Sequence, residues 1–197
     1  MAKSKYGKTR TVPYRRKMEG LTNYKKRLAL LKSGLSRFVI RKSANTVMTQ
    51  VIKFEPDGDK VLVSATSQEL KKMGWKAHTG NLPSAYLTGL LLGMKAKKVK
   101  VGKVVVDLGL QSPIRGGRIF AALKGAVDAG IQINCGKEAL PSDDRVSGKH
   151  IADYAVTLKK NNKQKYEQQF SQYLKAGSNP EDLCKLFEAT KQKILNS

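Results

Sequence analysis

The stretch VGKVVVDLGLQSPIRGGRIFAALKGAVDAG, residues 101–130, decides the fold of this chain. Its first third is almost unbroken apolar sequence up to Asp107, the pattern of a strand covered on both faces, central in its sheet and parallel to a neighbour. Pro and Gly then punctuate Ser112-Pro113-Ile114-Arg115-Gly116-Gly117-Arg118. Beyond them Ile119, Ala122, Leu123, Ala126 and Val127 recur at spacings of three and four, the buried stripe of a helix that Gly130 ends. Residues 131–134 read as a short returning strand. Strand, helix and strand in that order predict a crossover unit.

Upstream, Asn81 and Pro83 suit a helix start, and the helix runs to about Lys97. Ala85, Gly89 and Gly93 share one of its faces, where glycine weakens a helix unless another backbone comes close, so this face is expected against the sheet. Before it lie a loop holding Gly74, Trp75 and Gly80 and a short helix for which Ser67 is a candidate cap. Residues 36–66 read as three strands. In the first, Phe38 and Ile40 alternate with Arg37, Val39 and Arg41, giving an apolar face and a basic, partly polar one. Pro56-Asp57-Gly58-Asp59 supplies the turn before the third. The expected fold is α/β: a mixed sheet in which an antiparallel meander is followed by β-α-β-α-β.

Both ends of the chain differ from this body. Residues 1–35 read as a basic arm, 36–140 as the α/β domain and 141–197 as a helical C-terminal extension. In the extension Ile151, Tyr154, Ala155 and Leu158 form one stripe, Tyr166, Phe170, Tyr173 and Leu174 a second, and Leu183, Leu186, Phe187 and Ile194 a third after Asn179-Pro180. Lys159, Lys160 and Lys163 flank a double asparagine there. Within the arm, residues 22–33 suit a helix with Thr22 as cap and Leu28 and Leu31 toward the body.

Charge narrows the function. Thirty-eight Lys and Arg against fifteen Asp and Glu give a formal net charge of +23, which opposes compaction until an anion neutralises it. More than half of it lies before residue 43, where Glu19 is the only acid and Tyr6, Tyr14 and Tyr24 interleave with the cations. Aromatic rings among cations are suited to stacking on bases that the charges draw close. Nucleic acid is therefore the expected partner. No stretch reaches the roughly 18 uninterrupted apolar residues of a membrane span, and no hydrophobic signal region follows the basic start, so the expected location is cytoplasmic.

Catalytic and metal chemistry find little support. Cys135 and Cys184 form no CxxC pair and read as buried reduced thiols, and His78 and His150 lie in no ligand pattern. Asp107 stands where some nucleases hold a metal-binding carboxylate, but Asp57, Asp59, Asp143, Asp144 and Asp153 have no spacing that converges on it. Neither GxGxxG nor the P-loop ending is present. No cofactor, metal or small-molecule substrate is expected, and no enzymatic activity. The segment from Arg115 to Arg118 reads instead as an anion site: two cations at the positive end of a helix dipole are unfavourable until an anion joins them. On that reading, removing both arginines leaves folding intact.

Several blocks resemble the large-subunit ribosomal protein L-eighteen family, most closely its archaeal and eukaryotic branch. They are Tyr14-Arg15-Arg16-Lys17, residues 22–33, Arg41-Lys42-Ser43, Gly74-Trp75, Thr79-Gly80-Asn81 with residues 83–89, and residues 120–130, with His150-Ile151-Ala152 beyond them. The length resembles archaeal members. The resemblance implies a non-catalytic protein that binds 5S rRNA and helps anchor it to the large-subunit rRNA at the central protuberance, beside neighbouring large-subunit ribosomal proteins. Carried over, it implies RNA contacts at Lys3, Lys5, Lys8, Arg10, Tyr14, Arg15, Arg16, Lys17, Tyr24, Lys25, Lys26, Arg27, Arg37, Arg41 and Lys42, and at Arg115, Gly116, Gly117 and Arg118. Two positions depart from the family pattern: Asn23 replaces a usual Asp, and Ala44 a frequent Asn, which moves that polar contact to Asn45. A free-standing RNA chaperone or rRNA-processing factor is the alternative with the same charge requirement.

Overall fold

A computed structural model of the chain describes residues 12–196. Lys3, Lys5, Lys8 and Arg10, and with them Tyr6, lie outside the described residues. The arm begins with a helical turn, α1 (Arg15–Met18), and a longer helix, α2 (Tyr24–Leu31). Asn23, rather than Thr22, caps α2 by accepting a hydrogen bond from the Lys26 amide at 3.1 Å. Thr22 accepts one from Arg16 instead.

Three antiparallel strands follow: β1 (Ser36–Lys42), β2 (Val47–Glu55) and β3 (Gly58–Thr66). The β2–β3 turn falls at Pro56 and Asp57, because Glu55 pairs with Gly58. A short 3-10 helix (Glu69–Met73) and the tryptophan loop lead into α3 (Leu82–Lys98), where the Asn81 side chain accepts from the Ser84 amide at 2.8 Å. Ser67 is not a helix cap; its hydroxyl accepts from the Val47 amide and ties the end of β3 to β2.

The crossover then forms from β4 (Val104–Asp107) and α4 (Arg118–Asp128). β4 is parallel to β1, and the strand order is β3-β2-β1-β4. β4 therefore lies outside β1 rather than centrally. Residues 131–134 are too short and too polar at Gln132 and Asn134 to continue the sheet, and they contribute a single bridge between Ile133 and Val104.

Phe38 and Ile40 point from β1 into a core shared with Val51, Leu87, Leu90 and Leu123. Fully burying each large aliphatic or aromatic side chain contributes roughly 1.5–3 kcal/mol. The glycine face of α3 meets α4 rather than the sheet: a Cβ on Gly89 would overlap the Ala122 backbone, and one on Gly125 the Tyr86 carbonyl. Missing side chains at these two positions let the helix backbones touch.

The remaining helices are α5 (Asp143–Ser147), α6 (Lys149–Asn161), α7 (Lys163–Gln169), α8 (Ser171–Lys175) and α9 (Leu183–Leu195). Their Tyr166, Phe170, Tyr173, Leu183, Phe187 and Ile194 join the same core as the sheet, and the Phe187 ring stacks 5.6 Å from Tyr86 of α3. Cys135 and Cys184 are free thiols and partly exposed rather than buried. Among the described residues, no helix is long and apolar enough to cross a membrane, and no group of three His, Cys, Asp or Glu converges.

Candidate nucleic-acid interface

The register of β1 sets Arg37, Val39 and Arg41 on the face opposite Phe38 and Ile40, with Arg37 beside Ile52 of β2 and Val105 of β4. This face is not an open basic surface. Arg37 is 2 % exposed and Val39 5 %. Arg37 Nη2 lies 2.7 Å from Asp59 on β3, out of line for a hydrogen bond, and its Nη1 donates to Asp107 on β4 at 3.0 Å. Arg41 donates to the Asp107 carboxylate at 3.2 Å and to its carbonyl at 2.8 Å. Arg27 of α2 donates to both oxygens of Asp59 at 2.9 Å. Arg27, Asp59, Arg37, Asp107 and Arg41 thus form one alternating chain of charge that ties the arm to three strands.

Burial alone would raise the Asp107 carboxyl, but the Arg41 charge, the Gly109 amide and the arginine hydrogen bonds outweigh it and hold it below the usual carboxylate range. Asp59 is lowered in the same way: burial would raise it, but the adjoining guanidinium groups of Arg37 and Arg27 outweigh that. Both Asp107 oxygens are engaged by guanidinium groups, so its place at a strand end serves the fold rather than a metal site. The cations expected to reach RNA at Arg27, Arg37 and Arg41 are all paired within the protein, three guanidinium groups on two carboxylates.

Arg118 has partners that its sequence context does not reveal. Its Nη1 donates to the carbonyls of Gly80 at 2.8 Å, Ser43 at 3.0 Å and Ala44 at 3.4 Å. Thr79 donates to the Asn45 carbonyl at 2.6 Å, and the Asn45 side chain meets the His78 ring at 3.3 Å. A Cβ at Gly80 would strike the Ala44 carbonyl, so only glycine fits there. Three separate motif segments, around Ser43, Gly80 and Arg118, are therefore knotted into one joint. Trp75 lies buried beside it, its indole donating to the His78 carbonyl.

Other cations have no carboxylate partner among the described residues. Arg16, Lys17, Lys25 and Lys26 on the arm, Lys42 at the end of β1, and Arg115 before α4 make no ion pair there. Arg15 pairs with Glu19, but in full exposure to solvent. At Lys42 the Gln111 side chain satisfies both backbone groups, accepting at 3.1 Å and donating at 2.7 Å. That contact leaves the lysine side chain uncommitted.

The arm itself buries no residue in α1 or α2. Tyr14 is 70 % exposed and stacks against Tyr24 at 4.9 Å, while Leu28, expected to face the body, is 56 % exposed. Helices this short are marginal in water without packing. Gly116 and Gly117 lead into α4, whose cap residue Gly117 provides no side-chain hydrogen bond.

Residues 8–104 match the family of ribosomal large subunit proteins 60S L5 and 50S L18. The chain belongs to this family. It is accordingly a large-subunit ribosomal protein that binds rRNA, and it is associated with the other proteins of that subunit. The matched span covers most of the arm, the meander, the tryptophan loop and α3, and so takes in the charge chain except for Asp107 and the joint except for Arg118. Asp59 and Asp107 were the functional residues least visible in this ribosomal protein's sequence. Their one signal was rarity, since acids within strands are few in so basic a chain.

Proposed function

We propose that the chain binds 5S rRNA and helps anchor it to the larger rRNA at the central protuberance. Supporting this reading is the described part of the arm, residues 12–35, a cationic segment with an exposed Tyr14, a partly exposed Tyr24 and no buried residue. Phosphates neutralise such a segment and bases stack on its rings. The contacts proposed are Lys3, Lys5, Lys8, Arg10, Tyr14, Arg15, Arg16, Lys17, Tyr24, Lys25 and Lys26 on the arm, Lys42 and Asn45 at the end of β1, and the loop of Arg115, Gly116 and Gly117. Arg118 is proposed to reach RNA only through groups other than the Nη1 that clamps the joint. Arg27, Arg37 and Arg41 act indirectly, by fixing the arm and the sheet.

The proposed division of labour has residues 1–35 as the RNA-binding arm, 36–140 as the α/β body and 141–197 as a helical layer on α3. The protein acts by binding rather than catalysis. Two measurements test this. Filter binding of the full chain to 5S rRNA is expected to weaken steeply with salt, with a log–log slope of roughly −4 to −9 for six to ten neutralised phosphates. Sedimentation after a moderate salt wash is expected to leave the protein on the large subunit. Release into the soluble fraction would favour a transient chaperone or processing factor.

A further inference from the structure

Where β1 ends, α3 and α4 begin and α5 passes into α6, the surface sinks into a cavity of about 320 Å³. Lys42, Arg118, Arg145 and His150 line it, and Leu82 and Ile119 are buried among its walls. No carboxylate lines it, and none of the four basic residues forms an ion pair among the described residues. Of the nearby acids, Asp143 is engaged by Lys124 at 2.6 Å and Asp144 by Lys149 at 3.9 Å, while Asp153 is exposed to solvent and acts on His150 from outside the cavity lining.

We propose that Lys42, Arg118, Arg145 and His150 form a pocket for one phosphodiester of the rRNA backbone. The proposal rests on the rRNA-binding reading and adds to it a specific site that includes two residues of the C-terminal region. Three cations around a concave surface repel one another unless an anion enters. A phosphodiester supplies a single negative charge with acceptor oxygens on several sides, and its ribose can lie on the apolar wall. The guanidinium of Arg145 and the free edge of Arg118 suit such oxygens. Because Arg145 and His150 belong to α5 and α6, a phosphate here would bridge the body to the C-terminal helices.

His150 reports on occupancy. Its burial, and next the Arg145 charge, hold its pKa below the ordinary histidine value, with Asp153 opposing. Lys42 from β1 and Arg118 from α4 face the same cavity. A bound phosphate adds a negative charge and raises that pKa, so binding takes up a proton. The gain in affinity is present below the free pKa and lost as pH rises through the pKa of the complex.

The test uses full-length protein with 5S rRNA, and separately with the larger rRNA, following the two histidine rings by NMR across pH 5 to 8. In at least one complex the His150 pKa is expected to rise above its value in the free protein. Arg145→Ala is expected to weaken binding to that RNA about tenfold at fixed salt and to make the salt slope shallower by about 0.7 to 0.9. His150→Gln is expected to abolish the pH dependence while leaving the melting temperature of the free protein in place. Should wild type bind neither RNA, the function proposed above fails. If wild type binds but His150 titrates unchanged in both complexes, or Arg145→Ala binds equally well, the pocket is overturned and the broader reading stands. A His150 shift seen only in intact subunits would also overturn it, pointing to an acidic protein neighbour.

Discussion

Arg41 and Lys42 are consecutive residues of β1, yet they belong to regions of opposite character. Arg41 ends the chain of alternating charge in which Asp59 and Asp107 hold Arg27, Arg37 and Arg41. Lys42 opens onto a cavity with four basic residues and no acid. A buried or half-buried cation held by a carboxylate is part of the fold, as is the Arg118 Nη1 held by carbonyls, whereas an exposed cation remains available to rRNA. Which of the two a given Arg or Lys becomes depends on where the few acids land. The chain has fifteen acids for thirty-eight cations, so their placement decides the functional surface.

The sharpest way to break this contrast is Asp107→Ala. It leaves Arg37 buried with one partner fewer and takes from Arg41 its carboxylate partner, though not its bonds to the carbonyls of residue 107 and Ile40. Breaking a buried ion pair from one side costs about 3–5 kcal/mol, so a loss of that order is expected in urea unfolding. A loss below about 1 kcal/mol would mean the charge chain does not hold the sheet. The same carboxylates set an acid limit. Their folded-state pKa values lie below the ordinary aspartate value of 3.8, so their stabilising effect is complete above that value. It is lost as pH falls through the lowered folded values. Urea unfolding followed from pH 5 to pH 2 is expected to show this loss in wild type and less of it in Asp107→Asn.

Next in size is Arg118→Ala, which strips a charged donor from three carbonyls. Hydrogen bonds to charged groups contribute about 1.5–3 kcal/mol, and a destabilisation in that range is expected in thermal melts. This reverses the expectation from sequence that removing Arg115 and Arg118 leaves folding intact. Arg115→Ala is expected to change stability by less than about 0.5 kcal/mol, as for other exposed positions without partners. A comparable fall for both arginines would erase the distinction between them.

The architecture was legible where local patterns and tertiary structure agree. Asn81 and Pro83 announced α3, the apolar run before Asp107 announced a strand parallel to a neighbour, and Pro56-Asp57 announced the hairpin turn. It was less legible where distant residues decide. The position of β4 outside β1 depends on residues 131–134 forming one bridge instead of a strand, and the α3 glycine face depends on Ala122 rather than on α3 itself. For the candidate interface, periodicity correctly separated Arg37 from Phe38 by face. It could not show that Asp59 and Asp107 would close over that arginine from two other strands. Arg145 and His150 were equally hidden, since only the fold brings them to Lys42.

Adjacent residues of α2 offer the most direct test, because Lys26 makes no ion pair among the described residues while Arg27 binds Asp59. Salt-dependent filter binding to 5S rRNA would compare Lys26→Ala with Arg27→Ala. Lys26→Ala is expected to make the log–log slope shallower by about 0.7 to 0.9, one phosphate contact, while Arg27→Ala leaves the slope close to that of wild type. Equal changes for the two variants, or a larger one for Arg27→Ala, would contradict the idea that cations paired within the protein serve the fold and exposed ones the RNA.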